Sequence, residues 1–162
     1  MEFQHELVIP DEGLPFKFFL FEGSQGNYVR EKHWHTSVEI FAVMEGSLTF
    51  YLNDEKYPLK AGELMIINSN EVHSIDSPKE NHTAVLQVPL KQFEDYFTAH
   101  RFIRFAANEP ETDPKLWRLV REMYKLYGKR GVGYEFKIRS FYYDVLYHFL
   151  YERALSGRIE TD

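Results

Sequence analysis

The stretch Val38-Glu39-Ile40-Phe41-Ala42-Val43-Met44 constrains this chain more than any other. It is rich in β-branched, aromatic and apolar residues, so it reads as a strand. One acidic residue, Glu39, interrupts it. Successive side chains on a strand alternate between two faces. Glu39 therefore shares a face with His35 and His33 upstream, with Ser37 between them, while Val38 and Ile40 take the other face. A second stretch, Gly62-Glu63-Leu64-Met65-Ile66-Ile67, leads through a polar segment to His73. Three imidazoles and a carboxylate converging on one point form a ligand set suited to a divalent transition metal.

Short strand-like runs surround these elements. Pro15–Glu22 is aromatic and almost continuously apolar, and the cluster Gly23-Ser24-Gln25-Gly26-Asn27 breaks it. Glu45-Gly46 reads as a tight turn, Ser47–Leu52 as an alternating strand, and Asn53–Lys56 as a hairpin turn. Pro58 in the next run predicts an edge strand, because proline cannot donate to a ladder. Leu64–Ile67 is a buried strand by composition, residues 68–82 form a long polar connection, and Thr83–Val88 is a further strand. At least seven short strands with turn signals about every 8–12 residues define a sandwich or a barrel. The dense aromatics, 14 Phe and 11 Tyr, suit a β-rich interior.

The pattern changes after Pro89. Gln92–Phe105 predicts a helix. Asp113-Pro114 marks a helix start, with Asp at the cap and Pro in the first turn. Leu116, Leu119, Val120, Met123 and Tyr127 follow at helical spacing until Gly128–Gly133. A second helix is predicted from about Glu135 to Ala154, its broad apolar stripe including Phe141, Val145 and Phe149. With 162 residues the chain fits one domain. It divides into an arm (1–14), a barrel (15–90) and a helical segment (91–157). No run reaches the ~18 apolar residues of a membrane span, and the N-terminus lacks a secretory pattern. A cytoplasmic protein without membrane partners is expected. The absence of cysteine excludes disulfides and thiolate metal ligands. A net charge of -6 argues against a grip on nucleic acid by this chain alone.

His33, His35, Glu39 and Gly46 resemble the first cupin motif, and Gly62 and His73 the second. Asn68, Asn70 and Ser77 depart from that second motif, standing where the family has Pro, Gly and Asn. The wording around them is similar to the sensor domain of AraC-type transcription regulators: His-Trp-His, Glu-Ile-Phe-Ala-Val-Met-Glu-Gly, and Ile-Asn-Ser-Asn-Glu-Val-His-Ser. The resemblance covers roughly residues 15–155. It implies a double-stranded β-helix, or jelly-roll barrel, followed by an antiparallel helix pair. It further implies a small-molecule effector, an N-terminal arm that in some members folds over it and is otherwise a frayed end, and a homodimer formed through helices whose stripe, with Phe141, Val145 and Phe149, is equally open to packing on the barrel alone. DNA would be reached only through a helix-turn-helix domain absent from this sequence.

The residues leave three uses open for His33, His35, Glu39 and His73. They can hold a metal (Zn, Ni, Mn or Fe by ligand type), hook the hydroxyls of an organic ligand such as a sugar, or stand as a hydrogen-bonded remnant. His5, His82, His100 and His148 read as structural. No acid, base or nucleophile constellation, phosphate loop or paired catalytic carboxylates are found, so no catalytic residue is assigned. A non-enzymatic effector sensor is the expectation, and a small metal-dependent cupin enzyme, a dioxygenase or isomerase, is the alternative.

Overall fold

The computed structural model describes residues 13–22, 28–33, 37–52, 54–67, 73–77, 80–96, 101–103, 110–153 and 159–161, with backbone alone at 21–22, 28–33, 77, 90, 101–103 and 159–161. The strands are β1 (Lys17–Glu22), β2 (Tyr28–His33), β3 (Ser37–Leu52), β4 (Glu55–Lys60), β5 (Leu64–Ile67), β6 (His73–Ser77), β7 (Asn81–Pro89), β8 (Arg101–Ile103) and β9 (Ile159–Thr161). The α-helices are α1 (Pro114–Lys129) and α2 (Tyr134–His148).

β3 is the spine. Its first half pairs with β7 and β5, and β1 completes that sheet in the order β1-β7-β3-β5. Its second half pairs with β4 and β6, and β2 completes the order β4-β3-β6-β2. Every pairing is antiparallel, so two sheets share one long strand and enclose an interior, as in a jelly roll. Glu45-Gly46 is not the predicted turn. The strand continues through it, with a register shift against β7 between Val43 and Glu45. Gly46 has φ +77, and a Cβ there would lie 2.2 Å from the carbonyl oxygen of Glu80. Only glycine combines that conformation with that approach, and the bulge lets β3 change sheets.

Two further expectations change. Residues 68–82 are not one connection, because His73–Ser77 forms β6 and Asn81 opens β7. β6 hides from pattern reading because Ile75 is its one apolar residue. The helix predicted over 92–105 is a 3-10 segment at Leu90–Tyr96 followed by β8, which pairs with β9. Pro58 does sit on an edge strand, since β4 pairs only with β3 among the described residues.

The first sheet is covered on both faces, so it takes part in two cores. Val38, Ile40, Ala42, Leu64, Ile66, Ala84, Leu86 and Val88 face the helices. Leu116, Val120, Met123 and Tyr127 of α1 and Ile138, Tyr142 and Val145 of α2 complete that layer, with Phe149 just beyond. Each large side chain buried there contributes roughly 1.5–3 kcal/mol. Phe41, Val43, Met65, Ile67 and Val85 face the other way, into the barrel, where they meet Leu48, Phe50, Leu52, Leu59 and Ile75 of the second sheet.

Asp113 starts α1 as predicted: its carboxylate accepts from the Leu116 N–H at 3.1 Å, and Pro114 opens the first turn. The same carboxylate meets His148 Nε2 at 2.8 Å and Arg153 at 3.2 Å. Arg153 also donates to Glu111 at 2.6 Å, and the Glu111 backbone bridges Leu64 of β5. This clasp joins the start of α1, the end of α2 and the sheet edge. His148 thus has the structural role expected of it.

Candidate functional site

Parity along β3 places Glu39 on the barrel side, in line with Phe41 and Val43, while Val38, Ile40 and Ala42 face the helices. Glu39 is 0 % and His73 1 % exposed. A carboxylate at such depth is costly unless donors or cations compensate it. Two groups on neighbouring strands face it. Gln87, directly opposite Glu39 in the β3–β7 register, donates from Nε2 to Glu39 Oε1 at 2.9 Å. His73 Nε2 lies 3.8 Å from the other oxygen, Oε2. That distance exceeds a hydrogen bond.

The imidazole is held by aromatic rings. Phe50 stacks on His73 with centroids 5.6 Å apart and an interplanar angle of 12°. Phe41 meets it edge-on at 6.1 Å. Both rings come from β3, whose two halves lie in different sheets, so the strand that supplies Glu39 also clamps the histidine. The ends of β7's inward row are polar: Gln87 at one end, and at the other Thr83 donating to Asn81 at 2.8 Å, both fully buried.

The predicted site residues distribute as follows. Glu39 and His73, 34 positions apart, are brought together. His33 ends β2 directly opposite His73 in the β2–β6 register, and its side chain lies outside the described part. His35 lies outside the described residues altogether. Gln87 was not predicted. It is the one polar residue in the run Ala84–Val88, at the parity that points into the barrel, and that was the signal available.

Among the described residues no group of three or more His, Asp or Glu gathers to hold a metal ion, and Glu39 and His73 alone supply ligands of the kinds a divalent transition metal takes. A carboxylate and an imidazole are hard and borderline ligands respectively, and the Gln87 amide fixes one oxygen of the Glu39 carboxylate. The same atoms suit a hydroxyl-bearing ligand equally well.

Away from this site, Phe141, Val145 and Phe149 belong to the stripe of the second helix, open to packing on the barrel or on a partner subunit. Val145 and Phe149 are fully buried within the chain's own helix–sheet core, and Phe141 is half-buried at its edge. The aromatic residues α2 leaves exposed are Phe136, Tyr143 and Tyr147, continued by Tyr151, at 55–72 % exposure. Among the described residues no helix is long and apolar enough to cross a membrane.

A jelly-roll barrel with a helix pair on one sheet and a polar group buried in its interior is a cupin-type binding barrel. The chain belongs to the AraC-like ligand binding domain family, whose profile matches residues 15–146. No curated protein sequence matches the chain significantly. Solved structures with a similar fold include a cupin-2 domain protein of Shewanella frigidimarina (24% identity, 53% of this chain and 81% of that one, TM-score 0.42). A cupin 2 conserved barrel domain protein of Salinispora arenicola is another (16%, 56% and 81%, 0.45). The oxalate decarboxylase of Bacillus subtilis, an enzyme with Mn(II) centres, is similar over 48% of this chain but only 22% of its own length (20% identity, TM-score 0.42).

Proposed function

We propose that this domain senses a small polar effector inside the barrel and relays its presence to a DNA-binding domain elsewhere in a longer cytoplasmic regulator. The observation that carries the reading is the buried Glu39–His73 pair, with Gln87 donating to Glu39, in a largely apolar interior. Burying a carboxylate and an imidazole costs stability that a purely structural core would avoid. A ligand with hydroxyls, such as a sugar, or a divalent ion that anchors one recovers that cost on binding. His33, His35, Glu39 and His73 would hold the ion, which when bound acts as a Lewis acid toward ligand oxygens. An effector can shift the relay only by its difference in affinity for two arrangements of the domain. The helices on the outer side of the same sheet are the element placed to carry that difference.

The domain acts as a homodimer in this reading. The exposed aromatic stripe Phe136, Tyr143, Tyr147 and Tyr151 is the docking face, and a second copy is its occupant. Lys137 and Asp144 flank the stripe and are both exposed. An antiparallel two-fold pairing centred near Ser140 opposes Lys137 of one copy to Asp144 of the other, so the face is self-complementary in charge. Tyr147→Glu is expected to yield monomers in sedimentation with the melting temperature of the isolated fold retained. An unchanged dimer would reject this face.

For the site, His33→Ala with His35→Ala is expected to abolish binding of Zn²⁺ and of a responsive sugar from a screened panel, with far-UV circular dichroism preserved. Calorimetry showing unchanged binding would reject the assignment. The Gln87-supported carboxylate also suits the alternative of a metal-dependent cupin enzyme. Turnover by the metal-loaded protein on candidate substrates, lost on Glu39→Gln, would favour that alternative over sensing.

A further inference from the structure

We propose that the outward face of α1 is a docking surface for the phosphate backbone of duplex DNA, engaged without regard to base sequence. The contact needs only α1 and is independent of what the barrel binds. Three observations carry it.

Charge comes first. The chain as a whole is acidic, with a net charge of -6. α1 is the opposite: Lys115, Arg118, Arg121, Lys125 and Lys129 stand against one acid, Glu122. The net charge opposes a strong grip on nucleic acid by the whole chain. It does not oppose a weak contact through one face, because a polyanion responds to the local potential.

Placement comes second. Leu116, Val120, Met123 and Tyr127 fix the buried side of α1. With about 3.6 residues per turn, Arg118, Arg121, Lys125 and Lys129 project from the opposite side as a row roughly 16 Å long. All four are exposed, as is Lys115 at the flank. Lys125 meets Glu122 at 3.7 Å, and Arg121 lies over the Trp117 ring at 5.8 Å. Lys115, Arg118, Arg121 and Lys129 make no ion pair among the described residues. Successive members of the row are three or four residues apart, a spacing at which like charges repel and weaken a helix. A face serving solubility alone would intersperse the two signs. This one keeps a repulsion that an anionic partner relieves.

The third observation is what the face lacks. A membrane surface requires apolar side chains beside the cations, and a docked acidic peptide requires apolar anchors. Single strands are held by bases stacked on open aromatic rings. Among the described residues, none of the exposed large hydrophobic side chains lies on α1, and its rings Trp117, Tyr124 and Tyr127 are half-buried or buried. What remains is a close row of guanidinium and ammonium groups. A duplex matches such a row with evenly spaced phosphates, which guanidinium groups bind through paired hydrogen bonds.

The test is fluorescence anisotropy of the full chain with a labelled duplex of arbitrary sequence, repeated over a series of sodium chloride concentrations. Wild type is expected to bind weakly, the logarithm of its affinity falling with that of salt at a slope of about -4. Arg118→Gln with Arg121→Gln is expected to flatten that slope by about 2, with melting temperature kept. Arg118→Lys with Arg121→Lys is expected to restore it. Lys56→Gln with Lys60→Gln removes the same charge from exposed positions on β4 and is expected to leave the slope as in wild type. Equal flattening by the α1 and β4 pairs would mean that overall charge and not this face governs binding, and overturns the proposal. No binding of the duplex by wild type at low salt overturns it too, and leaves effector sensing in the barrel untouched. Tighter binding to phosphatidylserine vesicles than to the duplex, or competition by polyglutamate as strong as by unlabelled duplex, would give the face to a lipid or an acidic protein and overturn the assignment to DNA.

Discussion

The two faces of the β1-β7-β3-β5 sheet are built from the same strands and do opposite work. Its outer face presents Val38, Ile40, Ala42, Leu86 and Val88 to the helices, apolar without interruption. Its inner face alternates with them and carries Phe41, Val43 and Val85, but also Glu39, Gln87 and Thr83. A one-residue offset in parity separates a surface that holds the domain together from one that burdens it with a buried acid. Burial alone does not distinguish them, since Ile40 and Glu39 are both 0 % exposed. Chemistry does, and costly chemistry at full burial points to binding rather than to stability.

If the outer face is the structural one, damage there is the most severe. Val145→Asp places a charge with no partner among Phe16, Tyr142 and the sheet, and is expected to abolish cooperative unfolding in urea. Phe149→Ala is milder, costing about 3–5 kcal/mol by the same measurement. A dimer lost with the fold intact in either variant would return both residues to a subunit interface.

The clasp sharpens the comparison, because it contains charge on the outer side yet sets each of its carboxylates against a cationic partner. Burial alone would raise the Asp113 carboxyl, but bonds from His148 and the Leu116 N–H, with Arg153 nearby, hold it down at about 2 against an ordinary 3.8. A carboxylate depressed in the folded state stabilises the fold above its unfolded pKa. That stability is complete above pH ~4 and is lost as the pH falls toward ~2. The shift corresponds to at most about 2.5 kcal/mol. Asp113→Asn is expected to lose about that much at pH 7 and to show a flatter acid limb in pH-dependent melts. An acid limb identical to wild type would place the titrating group elsewhere.

The smallest effect is expected where the two faces touch. Trp117 of α1 donates through Nε1 to the carbonyl oxygen of Val43 at 3.3 Å, beside the bulge where β3 leaves the first sheet. The Val43 side chain belongs to the barrel core, so one residue contacts both layers. Trp117→Phe should cost about 0.5–1.5 kcal/mol in urea unfolding. A loss no larger than that of an exposed-surface substitution would mean that bond contributes nothing.

Much of this contrast was legible before any coordinates. The alternation around Glu39 gave the inward and outward sets of β3, and the cap at Asp113-Pro114 gave the start of α1. Three things were not legible, each for a physical reason. A bulge at a positive-φ glycine has the same local composition as a hairpin turn, so Gly46 looked like the end of a strand. A half-buried strand with one apolar residue, such as β6, has no periodicity to detect. An apolar stripe on a helix shows that a surface is covered but not by what. Val145 and Phe149 are covered by the chain itself, and the aromatic stripe around Tyr147 stood outside the stripe that was counted. Within the site, Glu39 and His73 were found by motif spacing. Gln87 escaped because a lone amide in an apolar run is a weak signal until its cross-strand partner is known.

One paired measurement bears most directly on the division of labour between the two faces: unfolding free energy and zinc affinity, determined together for Glu39→Gln and Val145→Ala. Glu39→Gln is expected to hold or raise stability while abolishing zinc binding, because it removes a buried charge and a ligand at once. Val145→Ala is expected to lower stability by about 1–3 kcal/mol with zinc affinity unchanged in the folded fraction. Glu39→Gln that destabilises the domain and still binds zinc like wild type would contradict the assignment of the inner face to binding.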